Sequence, residues 1–281
     1  MSSDTQFGQP GEADPDAAQG SYVAQLLKGF NLVIADASCA AIRQALETFS
    51  TAALLDDSRP EAYLGLALCH TNLGDHGRGL RYFDLCLRHG FGQGTYATLR
   101  HERDAEEGST QTYEIGMDAV LGWRATCHLE LGSPEAAKRE LASLSPNPPH
   151  ELRSGLAVLR GRIMLAEGDL AGAQRQLGEA LAWEPGEPDA HFLRGQLHES
   201  RGAPQAALRA YTRAISLDPE EPDFRIARAG LLMAAGRTVQ ALEDLDIAEC
   251  LLQEQHHQPA QLARIARMRD ELAASPPHQT P

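Results

Sequence analysis

The chain has 281 residues, 42% of them apolar and only 5% aromatic, and its 39 acidic residues outnumber 25 basic ones to leave a formal net charge of −14. That balance argues against a sequence-independent nucleic-acid binder, which needs Lys and Arg to displace counterions. The absence of any apolar run of about 18 residues argues against membrane insertion. Five cysteines, odd in number and without CxxC spacing, form neither a disulfide framework nor a zinc knuckle. In chain order, residues 1–20 are rich in Gly, Pro, Asp and Gln; we expect them to be a disordered tail and not a signal peptide. Residues 21–93 carry two degenerate helix pairs. Residues 94–117 interrupt the pattern, with a short helix expected from Tyr96 to Glu107, ending at Gly108. Its charged run, RHERDAEE, reads as a solvated face or as a partner contact. Four further pairs fill 118–255, an amphipathic capping helix fills 256–274, and 275–281 form a flexible tail.

The strongest signal is an internal period, which takes precedence over local readings. Three ungapped windows begin at Ser154, Pro188 and Pro222, spaced by 34 residues. Gly161, Gly195 and Ala229 share one column. So do Gly168, Gly202 and Gly236, then Ala173, Ala207 and Ala241, then Ala180, Ala214 and Ala248. Looser copies carry Trp123, Ala125, Gly132 and Ala137, and upstream Tyr63, Ala67, Gly74 and Phe83. Each window holds two helices of about 13 residues, each about 20 Å long. Pro185 and Pro219 stop the second helix, and Ser133-Pro134 starts one well.

The strings GDLAGAQRQLGEALAWEP (168–185), FLRGQLHESRG (192–202) and GAPQAALRAYTRAISLDP (202–219) resemble the turn, the first helix and the second helix of the tetratricopeptide repeat family. The resemblance covers about residues 26–255 in about six copies. It implies an all-α, right-handed α-solenoid of antiparallel helix pairs without a sheet, in which neighbours bury each other's apolar faces. It also implies that first helices line the concave side.

No catalytic spacing survives a search: there is no GxSxG, HExxH, GxxxxGK or EF-hand loop. We therefore expect no enzyme activity, no catalytic or metal-ligating residues and no cofactor. His70, His128 and His198 share a column and are read as packing residues. Arg124, Arg160, Arg194 and Arg228 share another; each either pairs with an acid of a neighbouring helix or belongs to a ladder that grips an acidic peptide. Positions on the expected concave side are notably apolar: Phe30, Ile34, Leu64, Leu68, Leu129, Val158, Arg162, Phe192, Gln196, Ile226 and Met233 form the candidate partner-binding groove. A clamp for chaperone C-terminal carboxylates is not expected, because Ile34, Leu68, Thr126, Arg162, Gln196 and Gly230 stand where the family's clamp places Asn. The expected function is a cytoplasmic, non-enzymatic adaptor or chaperone-like module capturing an apolar segment of a protein or peptide partner. The alternative is a scaffold that assembles a complex through its outer surface or by self-association.

Overall fold

The computed structural model describes residues 15–35, 38–91, 97–103, 109–255 and 259–274. Thirteen helices and one hairpin make up these residues. The helices come as pairs: α1 (Pro15–Ala35) with α2 (Cys39–Leu55) and α5 (Met117–Glu130) with α6 (Pro134–Ala142), while α3 (Pro60–Asn72) meets the segment from α4 (His76–Arg88) to His89 through the ring contacts His70–Tyr82 and Tyr63–His89. The pairing continues in α7 (His150–Ala166) with α8 (Leu170–Trp183), α9 (Pro188–Ser200) with α10 (Pro204–Leu217), and α11 (Pro222–Ala234) with α12 (Thr238–Gln255). A last helix, α13 (Pro259–Ala274), follows alone. Two compact units result. One comprises residues 1–72 with 81–115, the other 73–80 with 116–281.

The turn between partners explains the glycine column. Gly74, Gly132, Gly168, Gly202 and Gly236 all have φ between 67° and 78°, the left-handed region open to glycine at no steric cost. At four of these turns the amide after the glycine donates to the carbonyl five residues back, as Asp169 does to Met164 (2.9 Å) and Ala203 to His198 (2.9 Å). These bonds satisfy the carbonyls that a helix end leaves without partners. Within pairs, Ala173, Ala180, Ala207, Ala214, Ala241 and Ala248 are fully buried, so backbones approach closely where the period places small residues. Gly161 faces Leu177 and Gly195 faces the Tyr211 ring; a Cβ there would meet those side chains at 2.9 and 2.2 Å.

In the first unit the core is built on Phe49, whose ring lies edge-on to Phe30 (centroids 4.8 Å apart) and occupies the space left by Gly29 and Gly65. Tyr22 is buried on the same unit, with its hydroxyl donating to Glu61 (3.3 Å) and the Arg59 guanidinium over its ring.

Two expectations are corrected. α1 begins at Pro15, so 15–20 are helical; Pro at the first position presets φ, and Ala17, Ala18 and Gln19 are good helix formers. Residues 1–14 and 275–281 lie outside the described residues, as do His256 and His257. The 94–117 insertion holds no helix between Ala97 and Arg103. It is an antiparallel hairpin of β1 (Ala97–Arg103) and β2 (Ser109–Ile115), with Ala97 opposite Ile115 and Arg103 opposite Ser109. Thr98, Thr110, Thr112, Tyr113 and Ile115 supply the β-branched and aromatic content that favours a pleated strand. The α-solenoid architecture is otherwise as the period implies.

Candidate functional site

The second unit carries a concave trough of about 1210 Å³, lined from Asp118 to Arg264. The first helices of its pairs supply most of the wall, because helices stacked with their second partners outside leave the first set inward. α5 contributes Gly122 and Thr126; α7 contributes Leu152, Gly155, Leu156, Val158 and Leu159; α9 contributes Phe192, Leu193 and Gln196; α11 contributes Phe224, Ala227, Gly230 and Leu231. Leu156, Val158, Leu193 and Phe224 are buried, so they form the floor. Phe192 is half-buried and bridges the rings of Phe224 (4.9 Å) and Tyr211 (5.5 Å). Gly155 and Gly230 keep the trough open: a Cβ at Gly155 would meet nothing within 4 Å, and one at Gly230 only the Met268 methyl at 4.0 Å.

The rim is acidic. Asp118, Glu130, Glu151, Glu187, Asp189, Glu199, Glu221 and Asp223 line the trough, against Arg162 and Arg264 alone. Arg162 is already engaged by Glu130 at 2.7 Å. Crowded carboxylates under a low-dielectric wall ionise reluctantly. Burial, aided by the Asp223, Asp189 and Asp218 charges, raises the Glu221 carboxyl to about 7. Burial also raises Glu187, with Asp189 adding to it, and raises Asp189, where Arg162 partly offsets Asp218 and Glu130. Glu199 is raised by burial despite the opposing influence of Tyr211 and Arg264. Glu187 and Glu221 also cap α9 and α11, accepting from the amides of Asp189 and Asp223.

Of the residues predicted for the groove, the structure brings Val158, Arg162, Phe192 and Gln196 together in this trough. Leu129 packs against the core of Ala125, Ala137 and Ile163. Ile226 is fully buried and shares a cluster with Ile265 and Met268, against which Met233 also packs. The capping helix α13 thus covers in the last pair the column that Val158 and Phe192 present in earlier ones; Ala227 and Leu231 line the trough there instead. Phe30 and Leu64 are buried and Leu68 is half-buried, all in the first unit, and the side chain of Ile34 lies outside the described residues. The acidic rim was not anticipated, although Glu187, Asp189, Glu221 and Asp223 repeat at the 34-residue period and could have shown it.

The arginine column resolves by partner. Arg124 donates to Glu140 (2.9 Å) and Arg228 makes a two-pronged bond to Asp244 (2.8 and 2.6 Å), each sixteen residues on. The equivalent partners of Arg160 and Arg194 are Gln176 and Ala210, which offer no carboxylate. Neither Arg124 nor Arg228 lines the trough. His70 stacks on Tyr82 (5.2 Å, 9°) and His128 stands 3.6 Å from Glu140. Among the described residues no group of three or more His, Cys, Asp or Glu is placed to hold a metal ion. Nor is any described helix long and apolar enough to cross a membrane.

Family models described as tetratricopeptide repeat match residues 158–222 and 198–248. No curated protein matches the chain. Among solved structures, the chain is similar to a thermophilic tetratricopeptide repeat protein of Thermus thermophilus, at 21% identity, covering 76% of this chain and 99% of that one, TM-score 0.56. It is similar to pilF of Pseudomonas aeruginosa at 16% identity, covering 91% and 99%, TM-score 0.53. A third similar chain belongs to the Cut9-Hcn1 hetero-tetramer of the APC/C, at 16% identity and TM-score 0.56; the match covers 89% of this chain and 47% of that one, so this chain spans about half its length.

Proposed function

We propose, for a chain that is a tetratricopeptide repeat protein, that it works as a non-enzymatic adaptor or chaperone-like module in the cytoplasm, and that it captures a segment of a partner protein in the trough of its second unit. Proteins of this family are in general protein-interaction modules. The observation that carries the reading here is the trough itself: an open surface with an apolar floor of Leu156, Leu159, Phe192 and Phe224, kept open by glycines where larger residues would fit. A captured apolar side chain gains roughly 1.5–3 kcal/mol on burial. Two or three such anchors, less the cost of ordering the segment, give about micromolar affinity. The acidic rim disfavours phosphate backbones, so a nucleic-acid ligand is not part of the reading.

The test is photocross-linking. A benzophenone side chain replaces Ala227 in the trough, and in a second variant Gln205 on the exposed side of α10. The partner is expected to cross-link from position 227 and not from 205, and to re-bind as a purified protein. Cross-links to a purified, re-binding partner from 205 alone would reverse the assignment in favour of a scaffold acting through its outer surface.

A further inference from the structure

The chemistry of the occupant is written into the trough. This inference rests on the reading that the trough captures a partner, and it specifies what kind. Its apolar floor is buried, whereas Glu151, Asp189 and Glu199 on its sides keep surface open to solvent, Asp189 near Arg162 and Glu199 near Tyr211 and Arg264. An apolar peptide alone would leave these carboxylates facing a dry surface, which charged groups resist. An acidic one would add like charge to a rim where carboxylates already outnumber guanidiniums by eight to two. A second feature points the same way. Tyr211 is fully buried in the wall, and its hydroxyl faces the Glu199 carboxylate. A donor entering the trough would meet that oxygen and the carboxylate together.

We infer that the trough takes a cationic amphipathic segment of another protein, with leucine-like side chains on the floor around Phe192 and lysine or arginine side chains against Glu151, Asp189 and Glu199. The chain's own undescribed segments are not candidates for this occupant. Residues 1–14, 36–37, 92–96, 104–108, 256–258 and 275–281 contain no lysine or arginine. The raised carboxyl pKa values at Glu187, Asp189, Glu199 and Glu221 fit the same picture, since a bound cation would relieve the repulsion and desolvation that raise them.

The experiment measures fluorescence anisotropy of three labelled dodecapeptides with the purified full chain: one of Leu and Lys, one of Leu and Gln, one of Leu and Glu. The Leu/Lys peptide is expected to bind tightest and to weaken as salt rises. Glu151→Gln, Asp189→Asn and Glu199→Gln together should weaken it about tenfold, as the loss of three partly exposed charge pairs implies, while leaving the Leu/Gln peptide unchanged. A charge-matched control, Glu179→Gln with Glu243→Gln and Asp270→Asn outside the trough, should bind Leu/Lys like the parent; equal weakening by the control would reduce the effect to net charge and overturn the inference. Equal binding of all three peptides would overturn cation selectivity while leaving capture in the trough intact. Binding of none would overturn the cationic occupant and leave capture to the cross-linking result. A dimer of the parent chain in sedimentation, dispersed by the trough substitutions, would put a second copy in the trough and overturn the inference as well.

Discussion

Single residues set the electrostatics of the trough, and Glu221 shows how. Its carboxyl is raised by burial and by three neighbouring carboxylates to about 7, well above the ordinary 4.5. A raised acid binds its proton more tightly in the folded chain than in the unfolded one, so folding stability from this group is present at low pH and is lost as pH climbs through about 7. We expect the melting temperature to rise as pH falls from 8.5 to 6.5. Glu221→Gln keeps the oxygen that caps α11 but cannot ionise, and should flatten that dependence. As pH falls through 6.5, His76 and His198 oppose this rise, because burial lowers their pKa and the unfolded chain binds their protons more readily. A parent chain whose melting temperature fell steadily from 8.5 to 6.5 would contradict the assignment.

At the scale of the helix, the two faces of the first helices place opposite demands on glycine. Gly195 on α9 lies under the Tyr211 ring, where a methyl group would sit 2.2 Å from a ring carbon. Gly155 on α7 points a bare Cα into the open trough. Gly195→Ala should therefore cost about 1–3 kcal/mol, as overpacking does. Gly155→Ala should instead stabilise by about 0.5–1 kcal/mol, the helix-propensity difference. Chemical denaturation of both variants measures the contrast; equal shifts would mean the helix faces are wrongly assigned. The helix pairs and their faces were legible because small residues recur every 34 positions from Gly161 to Ala248 and a glycine stands at the turn of five of the six pairs. The hairpin was not, since the charged run RHERDAEE reads as readily as a solvated helix, and the threonines that favour strands are spread across two short segments instead of one.

For the molecule as a whole, the 34-residue period also placed Val158, Arg162, Phe192 and Gln196 on one surface, which the structure gathers into one trough. It misplaced Ile226, because periodicity treats every copy alike while the last copy is covered by α13. It missed the acidic rim, because only the small and apolar columns were followed; Glu187 and Glu221, at helix starts, serve at once as caps of α9 and α11 and as rim charges. A double change at Phe192 and Ile226 would consequently damage the core along with the trough. Gly155→Trp separates the two. It fills the trough from a position with nothing within 4 Å of its Cβ, and it replaces a helix-interior glycine. The most direct measurement is the affinity of the purified cross-linked partner for this variant, with a thermal melt on the same sample. Capture in the trough predicts that binding falls at least about tenfold while the melting temperature holds or rises. Undiminished affinity in a variant that melts like the parent would contradict it.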